Sequence, residues 1–135
     1  MRLVRIGRAV WDVLAITDDL GRSLWDELLS ADPSDGGAEQ MRAALREHVP
    51  RNGPPKAKSR CRYLGDDIYE LKGWGIRVLW FYDAGQPRIR WRILCTHACP
   101  KLKKKEFQKE KAKAIRIRTA YLAIKTAGRL PEPEG

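Results

Sequence analysis

The side chains best placed for chemistry in this 135-residue chain are cations. Arg77 lies in Ile76–Asp83 (IRVLWFYD), a run whose β-branched and aromatic content favours a strand. A guanidinium held on a strand can clamp a phosphate with two hydrogen bonds. Lys72 stands across Gly73-Trp74-Gly75 from it and adds a second positive charge. A lysine used as a base needs its pKa lowered by neighbouring cations or by burial. His97 is the histidine next to the basic segment, and an imidazole titrates near neutrality, which suits a general acid or base. Each residue also has a bland reading: Arg77 as a sheet-edge side chain with a packed stem, Lys72 as a solvated strand end, His97 as a partly buried structural histidine. Cys95-Thr96-His97-Ala98-Cys99 offers three nearby ligand types without a fourth, a poor zinc site, so no metal or other cofactor is expected.

The charge distribution points to a polyanion. The net charge is +10, from 27 basic and 17 acidic residues. Residues 1–55 hold 7 basic and 9 acidic side chains, whereas residues 56–130 hold 20 and 6. A field of one sign concentrated in one half marks a directed binding face. Lys56, Lys58 and Arg60 in the Gly-Pro loop, with Lys101, Lys103, Lys104 and Lys105, form the expected RNA-binding face. No apolar run approaches the ~20 residues of a membrane span. Arg5 and Arg8 interrupt the N-terminal apolar run, unlike a signal peptide. Three cysteines without framework spacing read as reduced thiols, and the expected compartment is the cytoplasm.

These side chains need elements to hold them. Val10–Thr17 reads as a strand, although Val10, Val13 and Leu14 also fit one helical face. Asp18 to Gly21 follows as a turn. Ser23 is a candidate N-cap, with Asp26 three residues on, for a helix through Leu28 and Leu29. Asp32–Gly37 breaks the chain, a second helix is expected over Ala38–Val49, and Pro50–Pro55 ends it. Residues 56–97 read as a β-meander: Ile68–Lys72, Ile76–Asp83 and Arg88–His97. Strand alternation groups Ile89, Trp91, Ile93, Cys95 and His97 on one face, against Arg88, Arg90, Arg92, Leu94 and Thr96. A long basic helix over 101–127 should bury Phe107, Ala114, Ile117, Tyr121 and Ile124, and Pro131–Gly135 should be a disordered tail. The expected fold is a single α+β domain over 1–130, in the order β-α-α-β-β-β-α. Its antiparallel-rich sheet has about four strands, two N-terminal helices and a basic C-terminal helix. The five tryptophans read as core, with Trp74 as the one plausible stacking platform.

Residues 53–83 (GPPKAKSRCRYLGDDIYELKGWGIRVLWFYD) carry a resemblance. Gly53-Pro54, Leu64-Gly65-Asp66, Ile68-Tyr69-Glu70-Leu71-Lys72 and Ile76 to Tyr82 resemble the RelE/HigB superfamily of toxins, nearest its HigB-like, phage-associated branch. The resemblance spans roughly residues 10–124 and is specific over 62–83. Lys72 stands where the family has arginine, and Cys95-Thr96-His97 replaces its His-Gly-Phe. The resemblance implies a RelE-like fold and a type II toxin that cleaves mRNA on the ribosome. Attack by a ribose 2′-hydroxyl on the adjacent phosphate requires no metal, because the substrate supplies the nucleophile. Arg77, Lys72 and His97 would then be catalytic. The implied partners are mRNA, ribosomal RNA and a cognate antitoxin, a helix-turn-helix protein. Two alternatives stand beside this: a non-nucleolytic inhibitor of DNA gyrase, and a nucleic-acid-binding module whose active site has decayed, motivated by the altered Cys95–Lys105 segment.

Overall fold

The computed structural model describes residues 1–17, 21, 23–83 and 91–135. The expected turn at Asp18 to Leu20 and the arginines at 88 and 90 lie outside the described residues. Among the described residues the sheet has six strands, not about four: β1 (Arg2–Arg8), β2 (Asp12–Thr17), β3 (Cys61–Gly65), β4 (Ile68–Lys72), β5 (Ile76–Asp83) and β6 (Arg92–Pro100). Their spatial order is β1-β2-β6-β5-β4-β3. The sheet is mixed, because β2 pairs with β6 in parallel while the other neighbours are antiparallel. The α+β class holds; the four-strand antiparallel sheet does not. β1 was hidden by its arginines, but Arg5 reaches back to Asp12 across the hairpin, at 3.0 Å, rather than interrupting the strand. β3 is short and largely exposed, so it lacks a hydrophobic alternation.

Local chemistry sets the helices. α1 (Leu24–Leu29) starts on Ser23, whose hydroxyl accepts from the Asp26 amide while Asp26 accepts from the Ser23 amide, a full capping box. α2 (Gly36–Ala43) is capped by Asp35 and continues through a π-helical turn, Ala44–His48, into α3 (Val49–Asn52). Pro50 does not end the segment: the backbone stays helical through His48 and Val49, and the π-helical turn just before Pro50 is where the hydrogen-bond ladder departs from the α-helical pattern. Gly53, at φ +77°, ends it. α4 (Lys104–Thr126) is the basic helix. At the β3–β4 turn, Asp66 and Asp67 both take positive φ, as a two-residue hairpin loop requires. Lys111 and Arg118 of α4 pair with them at 3.0 and 3.4 Å and so fix the hairpin to the helix.

Two cores flank the sheet. α1, α2 and the π-helical turn cover one face through Trp25, Leu28, Met41 and Leu45, over Val13, Val78, Trp80, Ile93 and Cys95. α4 covers the other through Ala114 and Tyr121, over Leu3, Leu14, Leu79, Phe81 and Leu94. Tyr121 donates to Asp83 at 2.5 Å, and Lys125 pairs with the same carboxylate. Pro131–Gly135, expected to be disordered, runs beside β1: the Arg5 amide donates to the Glu134 carbonyl, the Glu134 amide to that of Leu3, and the two carboxylate oxygens of Glu134 accept from Arg2. No helix among the described residues is long and apolar enough to cross a membrane.

Candidate functional site

A cleft of about 610 Å³ opens on the α4 side, at the β3 edge of the sheet. Strand register builds its floor. Glu70 and Lys72 share a face because they are two apart on β4. Arg77 of β5 pairs with Lys72, and Arg62 of β3 pairs with Glu70, so all four side chains project to the same side. Lys101, Leu102, Lys104, Phe107, Gln108 and Lys111, on and before α4, form the opposite wall. Among the described residues the lining thus holds six cations and one carboxylate, a net charge of +5.

Glu70 is the centre of this arrangement. It is 2% exposed. Arg62 Nη2 stands 2.9 Å from its Oε1, Lys72 Nζ 3.8 Å from the same oxygen, and Arg77 Nε 3.9 Å from Oε2. The Arg62 approach falls outside hydrogen-bonding angles, so Oε1 is buried yet has an unfilled acceptor position. Arg77 is held rigidly: its Nη1 donates to the carbonyls of Gly73 and Ile76, each at 2.9 Å. Arg62 is half exposed and is the side chain free to move off the carboxylate. Cations held by a buried counter-charge and facing an open cleft make a preorganised phosphate site.

The sequence-predicted residues divide. Arg77, Lys72, Lys101 and Lys104 line the cleft. Lys103 and Lys105 are exposed and outside its lining. Lys56, Lys58 and Arg60 are exposed on the loop into β3 and also lie outside it. His97 is placed elsewhere, and its expected facing is corrected. The β5–β6 register slips between Leu79 and Trp80, which pair with His97 and Cys95, leaving Thr96 as a bulge. The bulge breaks the alternation, so His97 joins the α4 face instead of that of Ile93. Its Nε2 lies 2.7 Å from Glu110 and its Nδ1 3.0 Å from the Thr96 hydroxyl. Burial holds its pKa below the ordinary 6.5, despite the Glu110 bond, and Lys113 adds to the lowering. Nε2–H donates to Glu110, and the Thr96 hydroxyl beside Nδ1 also reaches the Leu79 carbonyl at 3.1 Å. The same bulge puts Cys95 on the face opposite Cys99, and Cys61, Cys95 and Cys99 are all free. Arg92, expected on a cationic face, is largely buried with its Nε 3.7 Å from Asp12.

Glu70, Arg62 and Lys111 were not singled out by sequence reasoning. The available signal was the strand period: Glu70 sits two residues before Lys72, on a strand otherwise apolar toward the core. Trp74 is 80% exposed, in the turn against the start of α2. The chain matches no protein-family model, and no curated protein is significantly similar to it.

Proposed function

We propose that this protein is the toxin of a type II toxin–antitoxin pair, of RelE/HigB type, and cleaves mRNA on the ribosome without a metal. The observation that carries the reading is the six-cation cleft with a buried carboxylate in its floor. The reaction joins the ribose 2′-oxygen to the adjacent phosphorus and breaks the bond to the 5′-oxygen, giving a 2′,3′-cyclic phosphate and a 5′-hydroxyl. Arg77 clamps the phosphate and the charge that builds on the phosphorane. A substrate phosphate draws the half-exposed Arg62 off Glu70, and the unfilled Oε1 then takes the 2′-hydroxyl proton. The Lys72 ammonium supplies a proton to the departing 5′-oxygen. Lys101, Lys104 and Lys111 hold the flanking phosphates. His97, with both ring nitrogens engaged, has no role in this scheme. A cognate antitoxin, a helix-turn-helix protein, would neutralise the cleft with an acidic segment. The setting is the cytoplasm.

The test is induced expression in a bacterial host, with transcript ends mapped. Growth arrest with new 5′-hydroxyl ends on ribosome-bound mRNA, lost in Arg77→Ala, is the expected result. Normal growth with folded protein present, or arrest without cleaved transcripts, overturns it; in the second case a supercoiling assay tests gyrase as the target.

A further inference from the structure

The face of the sheet opposite the cleft carries a continuous row of rings. Tyr63 of β3 packs on Tyr69 of β4, with centroids 4.8 Å apart, and Tyr69 meets Tyr82 of β5 at 5.2 Å. Tyr82 meets Trp91 at 6.4 Å, and Trp91 meets Trp11 at 6.4 Å. The row runs from the β3 edge through β4 and β5 to Trp91 and Trp11, the residues just before β6 and β2. It is not a closed core: Tyr63 is 53% exposed and Trp91 54%, while Trp11, Tyr69 and Tyr82 are part-exposed. The segment 51–60 flanks it. Gly53 abuts the Trp11 indole, and Cys61, at the other end, packs into the same cluster as Tyr69 and Tyr82. That segment holds Arg51, Lys56, Lys58 and Arg60, all exposed, and no acidic residue.

We infer that this row is a second nucleic-acid surface, which stacks the bases of single-stranded RNA while the 51–60 cations hold its phosphates. Exposed rings beside an acid-free cationic segment complement a chain of flat apolar bases joined by anions. The row is open at the β3 edge, where Tyr63 also lines the cleft, so a strand leaving the cleft passes directly onto it. This accounts for Lys56, Lys58 and Arg60, basic residues that the cleft does not use. The choice of RNA over DNA rests on the reading of the cleft; the stacking surface does not.

Trp91 is the residue to test, because it is exposed and lies outside the cleft lining. The probe is a fluorescent oligouridylate of about 12 nucleotides, within the usual site size, measured by anisotropy. Trp91→Ala should weaken binding about tenfold, and Trp91→Phe should restore most of it, since an aromatic face is what stacks. A duplex of equal length should compete poorly. Wild-type binding by Trp91→Ala overturns the inference. So does equal competition by the duplex, or a Trp91→Ala defect confined to capture of a protein partner. Arg77→Ala reports on the cleft separately: if wild-type protein cleaves nothing but Trp91→Ala still weakens oligonucleotide binding, the stacking surface stands and the cleavage reading falls.

Discussion

Replacing Glu70 with glutamine keeps the shape of the side chain and removes its charge, and the structure sets three different responses. Stability should fall. The Arg62 contact at 2.9 Å is half exposed and contributes at most about 1 kcal/mol. Lys72 and Arg77 lie 3.8 and 3.9 Å away and are more buried, for roughly 1 kcal/mol each. The sum is about 2–3 kcal/mol, which lowers Tm by roughly 6–12 °C in a chain of this size. Affinity for RNA should not fall. The cleft lining goes from +5 to +6, so binding at low salt should hold or tighten. Cleavage should fall about 100- to 10,000-fold, the usual contribution of a general base. The assay is single-turnover cleavage of a ribosome-bound message, with binding measured on the same preparation. A variant that is less stable, binds normally and still cleaves at the wild-type rate would refute Glu70 as the proton acceptor and reduce it to a counter-ion.

Three further outcomes follow from the same structure. If all six cleft cations meet phosphates, RNA affinity should drop roughly 300-fold between 50 and 200 mM salt, and a nearly flat titration would remove the electrostatic argument. Tyr121→Phe deletes the 2.5 Å hydrogen bond to Asp83 and should cost about 1.5–3 kcal/mol in chemical denaturation, with cleavage unaffected because Tyr121 is not in the cleft. His97 has a folded pKa below its unfolded value, so the unfolded chain takes up the proton first as pH falls. Its contribution is present above the ordinary 6.5 and is lost as pH drops from there through the folded pKa. His97→Gln should flatten that part of the stability profile, and an unchanged slope would show that other groups set it.

What the sequence disclosed depended on how local the determinant was. β5 is legible residue by residue because alternation and apolar content agree from Ile76 to Asp83. The start of α1 is legible because a capping box is a four-residue device, here Ser23 to Asp26. β1 is not, because its arginines find partners seen only after folding: Asp12 on β2 for Arg5, Glu134 for Arg2. The parallel pairing of β2 with β6 has no sequence signature, since it joins residues far apart with the middle of the chain between them. The cationic half of the cleft was visible as Lys72, Arg77 and the lysines before α4. Its carboxylate was not, because burying a charge is favourable only when the surrounding cations converge, and convergence belongs to the register. Thr96 shows how a single unpaired residue reassigns everything after it: one bulge moved His97 across the sheet.

The parallel β2–β6 seam also has a consequence during synthesis. β1 and β2 emerge early as a hairpin, but each paired residue on the inner edge of β2 finds its partner in β6 only 80 residues later. At ordinary translation rates of about 5–20 residues per second, that edge waits on the order of 4–16 s with its hydrogen-bonding groups unpaired. Leu14 and Ile16 lie on the face that α4 covers, so their side chains stay uncovered until that helix follows β6. The chain is thus most vulnerable to aggregation and proteolysis before β6 emerges. Because β6 joins β2 to β5, which bears Arg77, the same step that ends this vulnerability completes the sheet on which the cleft stands.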